Sequence, residues 1–561
     1  MAAATVTTTV RWQDRYDSGV PESIDIPDVS LPDLFYQAAA EFPDRPAIVF
    51  FGKTITYRGL EDLIRRLATG LARLGLTAGQ SLGVVLPNCP QTVITYYAAL
   101  HLGARVVMVN PLAAPREILE QLRRAGAAMV VVLDQLAPKV EQIRSQVPLS
   151  QVVVTSLADF LPFPLKYLYL WKSWRQRQQI GAKRGQSSFG SLLAAAAGEV
   201  PALAARSQDI AILQYTGGTT GVPKAAMLTH RNLVSNVLQI NAWLQHCQRG
   251  QERVLAVLPY FHVFGMTAGM NWPLNLGGAI ILLPRFDASL VLKTIHRQRP
   301  TVFPAVPTIF IALLHHPDLQ RYDLTSLWGC ISGSAPLPQE VQRRFEALTR
   351  GRIIEGYGLT ETSPVTHLNP IGQAGKPGSI GLPFPNTQCR IVDPETGRRD
   401  LPLGEVGELI IRGPQVMSGY WQNPEETALA LRDGWLYTGD LAKMDEDGYF
   451  YIVDRKKDLI IASGFNIFPR EVEEIIHQHP AVQEVVVFGV PESYRGETVM
   501  AVIVPKAGVP VEAAAIMEFC RERLAAYKVP TIIEFRPELP KSLVGKVLRR
   551  QLRQEAVADR K

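Results

Sequence analysis

Along the first 150 residues the hydrophobic positions switch repeatedly between helical spacing and short unbroken runs. Leu34 to Phe42 and Leu60 to Leu74 carry apolar residues at helical intervals, the second with arginines between them, and both predict helices. Ala47 to Tyr57 predicts a hairpin around Gly52-Lys53. Leu82 to Leu86 is a short apolar run suited to a buried strand, and a helix from Gln91 to Leu102 and a strand from Val106 to Val109 follow. The cycle repeats in Ile118 to Ala125 and Met129 to Leu133. Such alternation predicts an α/β fold with parallel sheets covered by helices.

The same style continues from about 210 to 440, with more glycine and proline and a turn at Asp393 to Gly397. After Asp454 the character changes. Arg455-Lys-Lys-Asp458 is a charged joint, and a compact unit is expected beyond it. Its elements are a helix at Glu471 to His477, strands at Val485 to Phe488 and Val499 to Val504, and a helix at Val511 to Ala526. The predicted division is 1–454, a joint at 455–458, and 459–561.

Composition narrows the field. The chain has 561 residues, 47% hydrophobic and 20% charged, enough for several cores without disulfide staples. A formal charge of +6 is too weak at this length to imply a nucleic-acid binder. The N-terminus lacks the basic region and apolar core of a secretory signal, and no apolar stretch approaches the ~20 residues that span a bilayer. Five scattered cysteines read as small buried hydrophobes in a reducing compartment, with no structural zinc.

The richest segment is Tyr215-Thr-Gly-Gly-Thr-Thr-Gly-Val-Pro-Lys224, after an apolar strand at Ile210 to Leu213. Glycines let backbone N–H groups approach an anion, threonine hydroxyls donate to phosphate oxygens, and the lysine supplies counter-charge. The spacing is not that of a Walker loop.

With its continuation to His230, this string resembles the phosphate loop of the adenylate-forming superfamily, which includes acyl-CoA synthetases, firefly luciferase and peptide-synthetase adenylation domains. Ser332-Gly-Ser-Ala-Pro336, Gly356-Tyr-Gly-Leu-Thr-Glu361, Trp435-Leu-Tyr-Thr-Gly-Asp440, Asp454-Arg-Lys-Lys-Asp458 and Pro540-Lys-Ser-Leu-Val-Gly-Lys546 match further motifs in order. The resemblance implies a large N-terminal domain of helix-covered sheets with a β-subdomain, and a small mobile α+β C-terminal domain. It implies ATP, Mg²⁺ and CoA as reactants and cofactor. Thr216, Gly217, Gly218, Thr219, Thr220, Gly221 and Lys224 would cradle phosphate. Glu361, with Thr216, would hold Mg²⁺, since a carboxylate beside a triphosphate otherwise repels it. Tyr357, between Gly356 and Gly358 and followed by Thr360, would stack on adenine, and Gly333, Ser334 and Ala335 would let the purine lie flat. Asp440 would accept from ribose hydroxyls, reinforced by Arg455. Lys546 would stabilise charge building at the α-phosphate and the attacking carboxylate. His262 would border the acyl site. Lys457 would be the hinge about which the small domain turns, bringing Ser463 to Asn466 to the site, with Gly464 giving passage to pantetheine.

Further segments, Asp433 to Asp458 and Gly404 to Trp421, resemble bacterial fatty acyl-CoA synthetases. The leading expectation is a long-chain fatty acid:CoA ligase, in the cytoplasm and peripheral on the membrane. Rivals are a medium-chain or aryl acid ligase, a fatty acyl-AMP ligase serving a carrier protein, and a non-catalytic fatty-acid binder. A homodimer is compatible with each. Leu161 to Trp174 joins aromatics to a basic tail, which suits an anionic membrane surface, and Pro162 and Pro164 forbid an earlier helix start. Lys166, Lys172, Arg175, Arg177, Lys183 and Arg184 carry a local excess equal to the whole net charge.

Overall fold

Helix Tyr57–Arg73 shows how the pattern becomes structure. Thr56 caps it by accepting from Gly59 N at 3.2 Å, Leu60, Ile64, Leu67 and Leu71 are buried, and Glu61–Arg65 and Asp62–Arg66 pair on its outer side. Strand Ser81–Val85, apolar almost throughout, is buried along its whole length.

The computed structural model describes residues 10–177, 185–195, 200–216, 224–372, 375–462, 465–492, 496–506, 508–541 and 547–558. The chain forms two compact units. One comprises Tyr16–Gln388 and Arg412–Gly434, and the other Met1–Arg15, Cys389–Ile411 and Trp435–Lys561.

The larger unit holds two extended sheets. One has seven strands in the order Gln186–Ser188, Gln151–Thr155, Ala127–Leu133, Ser81–Val85, Arg105–Met108, Ile210–Thr216 and Lys224–Thr229. Its pairings are parallel until the last, which is antiparallel. The other has nine strands, parallel through Pro46–Phe50, Ala279–Leu282, Arg253–Ala256, Val302–Ala305, Gly329–Ser332 and Arg352–Gly358. Antiparallel strands finish both edges: Lys53–Thr56 on one side, Val365–Leu368 and Leu382–Pro383 on the other. The sheets are thus mixed, where alternation alone predicted parallel pairing, because hairpins add strands without a crossover.

In the smaller unit, strands Gly407–Arg412, Trp435–Met444 and Phe450–Arg455 pair antiparallel. A second sheet is built on the long hairpin Val482–Glu492 and Gly496–Pro505. Its two faces bury separate clusters. Val487, Ala501 and Ile503 meet Val472, Ile476 and Ile516, whereas Val486, Phe488 and Val502 meet Leu552 and Ala556. The predicted helix Val511 to Ala526 is shorter, Ala513–Arg521: Arg523 N donates to Cys520 O in a tighter, 3₁₀-type bond, and a 3₁₀ turn Ala526–Lys528 follows. None of the five cysteines forms a disulfide, and four of them are buried. No described helix is long and apolar enough to cross a membrane.

Candidate functional site

The ends of the glycine- and threonine-rich string come together. Thr216 closes strand Ile210–Thr216, Lys224 opens strand Lys224–Thr229, and the two are directly paired across the antiparallel ladder. Gly217, Gly218, Thr219, Thr220 and Gly221 lie outside the described residues.

Neighbouring segments are tied to this hairpin. Gln214 Nε2 donates to Phe261 O at 2.6 Å, anchoring the stretch that carries His262. His262 is half-buried and caps the short helix Val263–Met266, its Nδ1 accepting from Phe264 N at 3.3 Å. The Phe264 ring lies against Gly333, where an added Cβ would sit 3.3 Å from the ring and 3.5 Å from Gly356 O. Gly333 follows strand Gly329–Ser332, and Gly356 lies in the neighbouring strand Arg352–Gly358 just past the last parallel pair, Ser332 with Glu355. His262, Gly333 and Gly356 therefore gather at the carboxyl ends of a parallel sheet, the usual ligand-binding edge of such folds. Gly333 is buried, Ala335 half-buried and Ser334 exposed, with Ser334 at φ +71°. Tyr357 is half-buried and meets the buried His367 ring edge-on, 5.8 Å between centroids.

Glu361 is set by its backbone. At Gly358 a Cβ would lie 2.0 Å from Pro364 O, so only glycine lets the chain double back there. The doubled chain makes a 3₁₀ turn, Thr360–Thr362, that presents Glu361 and packs against strands Ile210–Thr216 and Lys224–Thr229. Thr267 Oγ1 donates to Ser363 O and Ser363 Oγ to Gln415 O, each at 2.9 Å, while Met417 N donates to Glu361 O at 2.8 Å.

Two residues that the sequence did not single out complete this set. Tyr420 O–H donates to Glu361 Oε1 at 2.7 Å, and the Lys224 ammonium lies 5.4 Å from the centre of the Tyr420 ring. Lys224 Nζ is ion-paired with Glu426. Tyr420 is buried, and burial, followed by the charge of Glu361, raises its hydroxyl far above the ordinary tyrosine range. The segment that carries it lies along strand Lys224–Thr229: Ala226 bridges Tyr420, Trp421 N donates to Ala225 O, and Met227 N to Gly419 O. The only signal in the sequence was the string Gly419-Tyr-Trp421 followed by Asn423-Pro-Glu-Glu426, which carried no chemistry on its own.

The donor set fits a hard cation. Glu361 offers a carboxylate and Thr216 a hydroxyl, both oxygen donors. Among the described residues no group of three His, Cys, Asp or Glu side chains could cage a metal. One carboxylate with few other protein ligands suits Mg²⁺, which keeps its waters and takes phosphate oxygens.

The smaller unit carries a second charged set. Asp440, only 5% exposed, faces Arg455 across an antiparallel pair, with Arg455 Nε 3.2 Å from Asp440 Oδ1. Lys456 Nζ donates to Glu408 Oε2 at 2.8 Å, and Glu408 Oε1 accepts from Gly439 N at 3.2 Å. Desolvation, and then Arg455 beside it, pushes the Lys457 amine down to about 8. Arg549 reaches Glu473 at 2.5 Å, Asp458 at 3.1 Å and Asp454 at 3.7 Å. Ser463, Gly464 and Lys546 lie outside the described residues.

Two family models match this chain. That of the AMP-binding enzymes matches residues 35–421, and that of the AMP-binding enzyme C-terminal domain matches residues 471–546. A long-chain-fatty-acid–CoA ligase of Bacillus subtilis (strain 168) is 48% identical, over 97% of this chain and 98% of that protein. One from Escherichia coli O6:H1 is 40% identical over the same shares. The crystal structure of ATP-bound MatB from Rhodopseudomonas palustris superposes with a TM-score of 0.83 at 30% identity, over 94% of this chain and all of that one. With its mixed sheets and its charged strand-end site, the chain belongs to the AMP-binding enzyme family.

Proposed function

We infer that this protein is an ATP-dependent long-chain fatty acid:CoA ligase. The fatty carboxylate attacks ATP to give acyl-AMP and pyrophosphate, and the CoA thiol then displaces AMP to give the thioester. The observation that carries this reading is the connection of Thr216, Lys224 and Glu361 into one set at the strand ends. It is supported by near full-length kinship to proteins named long-chain-fatty-acid–CoA ligase.

Mg²⁺, when bound, neutralises triphosphate charge. In this reading Glu361 and Thr216 hold it, and Lys224 supplies a counter-charge to phosphate. Tyr357 and the small residues Gly333 to Ala335 receive the purine. Asp440 accepts from ribose hydroxyls, with Arg455 alongside. His262 borders the carboxylate. Lys546 provides the cation for adenylation, Lys457 is the hinge between the domains 1–454 and 459–561, and Gly464 passes the pantetheine arm.

The test is AMP release across acids of rising chain length, with and without CoA. A peak at long acids that requires CoA is expected. A peak at aryl or medium acids, or release indifferent to CoA, would overturn the assignment in favour of those rivals. Lys546→Ala should lower adenylation by orders of magnitude while CoA transfer from preformed acyl-AMP survives. Full turnover in that variant would remove the lysine from its role.

The membrane reading rests on helix Leu165–Arg177, which begins immediately after Pro164. Tyr169 accepts a hydrogen bond from Gln135 and Ser173 is buried, so this side faces the protein. Tyr167, Leu168 and Trp171 are exposed at helical spacing, with Phe163 81% exposed just before them. Exposed aromatics beside basic residues favour an anionic lipid surface. Phe163→Ala with Trp171→Ala should abolish co-sedimentation with phosphatidylglycerol vesicles. Unchanged sedimentation would refute the patch.

A further inference from the structure

Glu361 and Lys224 carry opposite charges and share one neighbour, Tyr420. A carboxylate and an ammonium that meet pair and neutralise each other. Here each is engaged differently. The hydroxyl of Tyr420 occupies Glu361 Oε1, the face of its ring carries the Lys224 ammonium, and Glu426 supplies the lysine with another carboxylate. A carboxylate accepts on both oxygens, so a donor fixed on Oε1 orients the group and leaves Oε2 for a further ligand.

We propose that Tyr420 is a positioning residue that separates the two charges, aiming Glu361 at the metal of a metal–triphosphate and keeping Lys224 for its anion. This rests on the assignment of Glu361 as metal ligand given above. The tyrosine is well held for the task. Its N–H donates to Thr427 Oγ1 at 2.8 Å, its backbone bridges Ala226, and the flanking Trp421 N donates to Ala225 O at 2.8 Å. Gly419, just before it, sits at φ +134°, where a Cβ would come within 2.7 Å of Thr427. A tyrosine hydroxyl carries its proton at physiological pH and is therefore a donor there. Groups that orient a metal ligand typically change metal affinity or activity by about 10–100-fold when removed.

The experiment is calorimetric titration of the full chain with the non-hydrolysable analogue α,β-methylene-ATP, in excess Mg²⁺ and in excess EDTA. The readout is the factor by which Mg²⁺ tightens binding. Tyr420→Phe keeps the ring and removes the hydroxyl. It should shrink that factor about tenfold and leave metal-free binding unchanged. Tyr420→Leu also removes the ring, and should weaken metal-free binding as well, because Lys224 then collapses onto Glu361. Thermal melts confirm that each variant is folded. If Glu361→Gln abolishes the Mg²⁺ effect while Tyr420→Phe preserves it, the positioning role is overturned and the metal ligand stands. If Glu361→Gln also preserves it, the metal-ligand reading falls, and the proposal with it. Equal metal-free binding in Tyr420→Leu and Tyr420→Phe would refute the separation of charges.

Discussion

The two units hold their half-buried charges differently. In the smaller unit, Arg549 is paired with Glu473, Asp458 and Asp454, and Arg455 pairs directly with Asp440. In the larger unit, the hydroxyl of Tyr420 contacts Glu361 and its ring carries Lys224, so a neutral side chain stands between opposite charges. Paired charges fix the chain locally, whereas Glu361, held on one oxygen by a neutral hydroxyl, keeps the other for a ligand. Burial alone would lower the Arg549 guanidinium, yet Glu473, Asp458 and Asp454 more than offset it and hold the group further up.

Removing Arg549 tests one side of this contrast most severely. Arg549→Met leaves three carboxylates facing one another and should cost the smaller unit about 3–5 kcal/mol, read by denaturant unfolding. A loss under about 1 kcal/mol would mean the cluster is no clamp. Glu361→Gln tests the other side. Its turnover should fall about a hundredfold, a matter of about 3 kcal/mol in the barrier, while stability stays within about 0.5 kcal/mol of the parent. A variant that instead unfolds easily would place Glu361 among the structural charges.

Acid should distinguish the units next. His230 and His367, both buried in the larger unit, are pushed by desolvation down to about 4 and about 3. The unfolded chain takes up these protons near pH 6.5 and the folded chain resists them, so stability falls as pH drops from about 6.5 toward 4 and is recovered above it. The slope is roughly 1 kcal/mol per pH unit for each histidine, and His367→Gln should flatten it. Melting temperatures that do not change across this window would contradict the mechanism.

The smallest effect concerns two adjacent lysines. Lys457, pushed down to about 8, should react with acetic anhydride at pH 8 several-fold faster than Lys456, which is paired with Glu408. Equal labelling by mass spectrometry would remove the distinction.

Local pattern made part of this legible. Leu60 to Leu74 has the right spacing for a helix, and Tyr57–Arg73 is one. The strand at Val485 to Phe488 was read too short. The observed Val482–Glu492 extends because its partner continues the ladder through polar positions that break the apolar run. The ends of the glycine- and threonine-rich string could be picked out because Thr216 and Lys224 lie eight residues apart and their ladder is local. Tyr420 could not. It reaches Glu361 across 59 positions, and Glu426 reaches Lys224 across 202, distances over which sequence periodicity carries no information. The return of Arg412–Gly434 to the larger unit was hidden for the same reason.

That return has a consequence for synthesis. Strand Lys224–Thr229 is the last of its sheet, and its outer edge is bridged by Tyr420. At about 5–20 residues per second, a ribosome takes roughly 10–40 s to supply the 202 positions between Lys224 and Glu426. Through that interval the nascent chain carries an open strand edge, the kind of surface that invites wrong pairing. The segment that organises the charges is thus also a late-arriving cover, and a newly made chain acquires its site and sheds its stickiest edge in the same event.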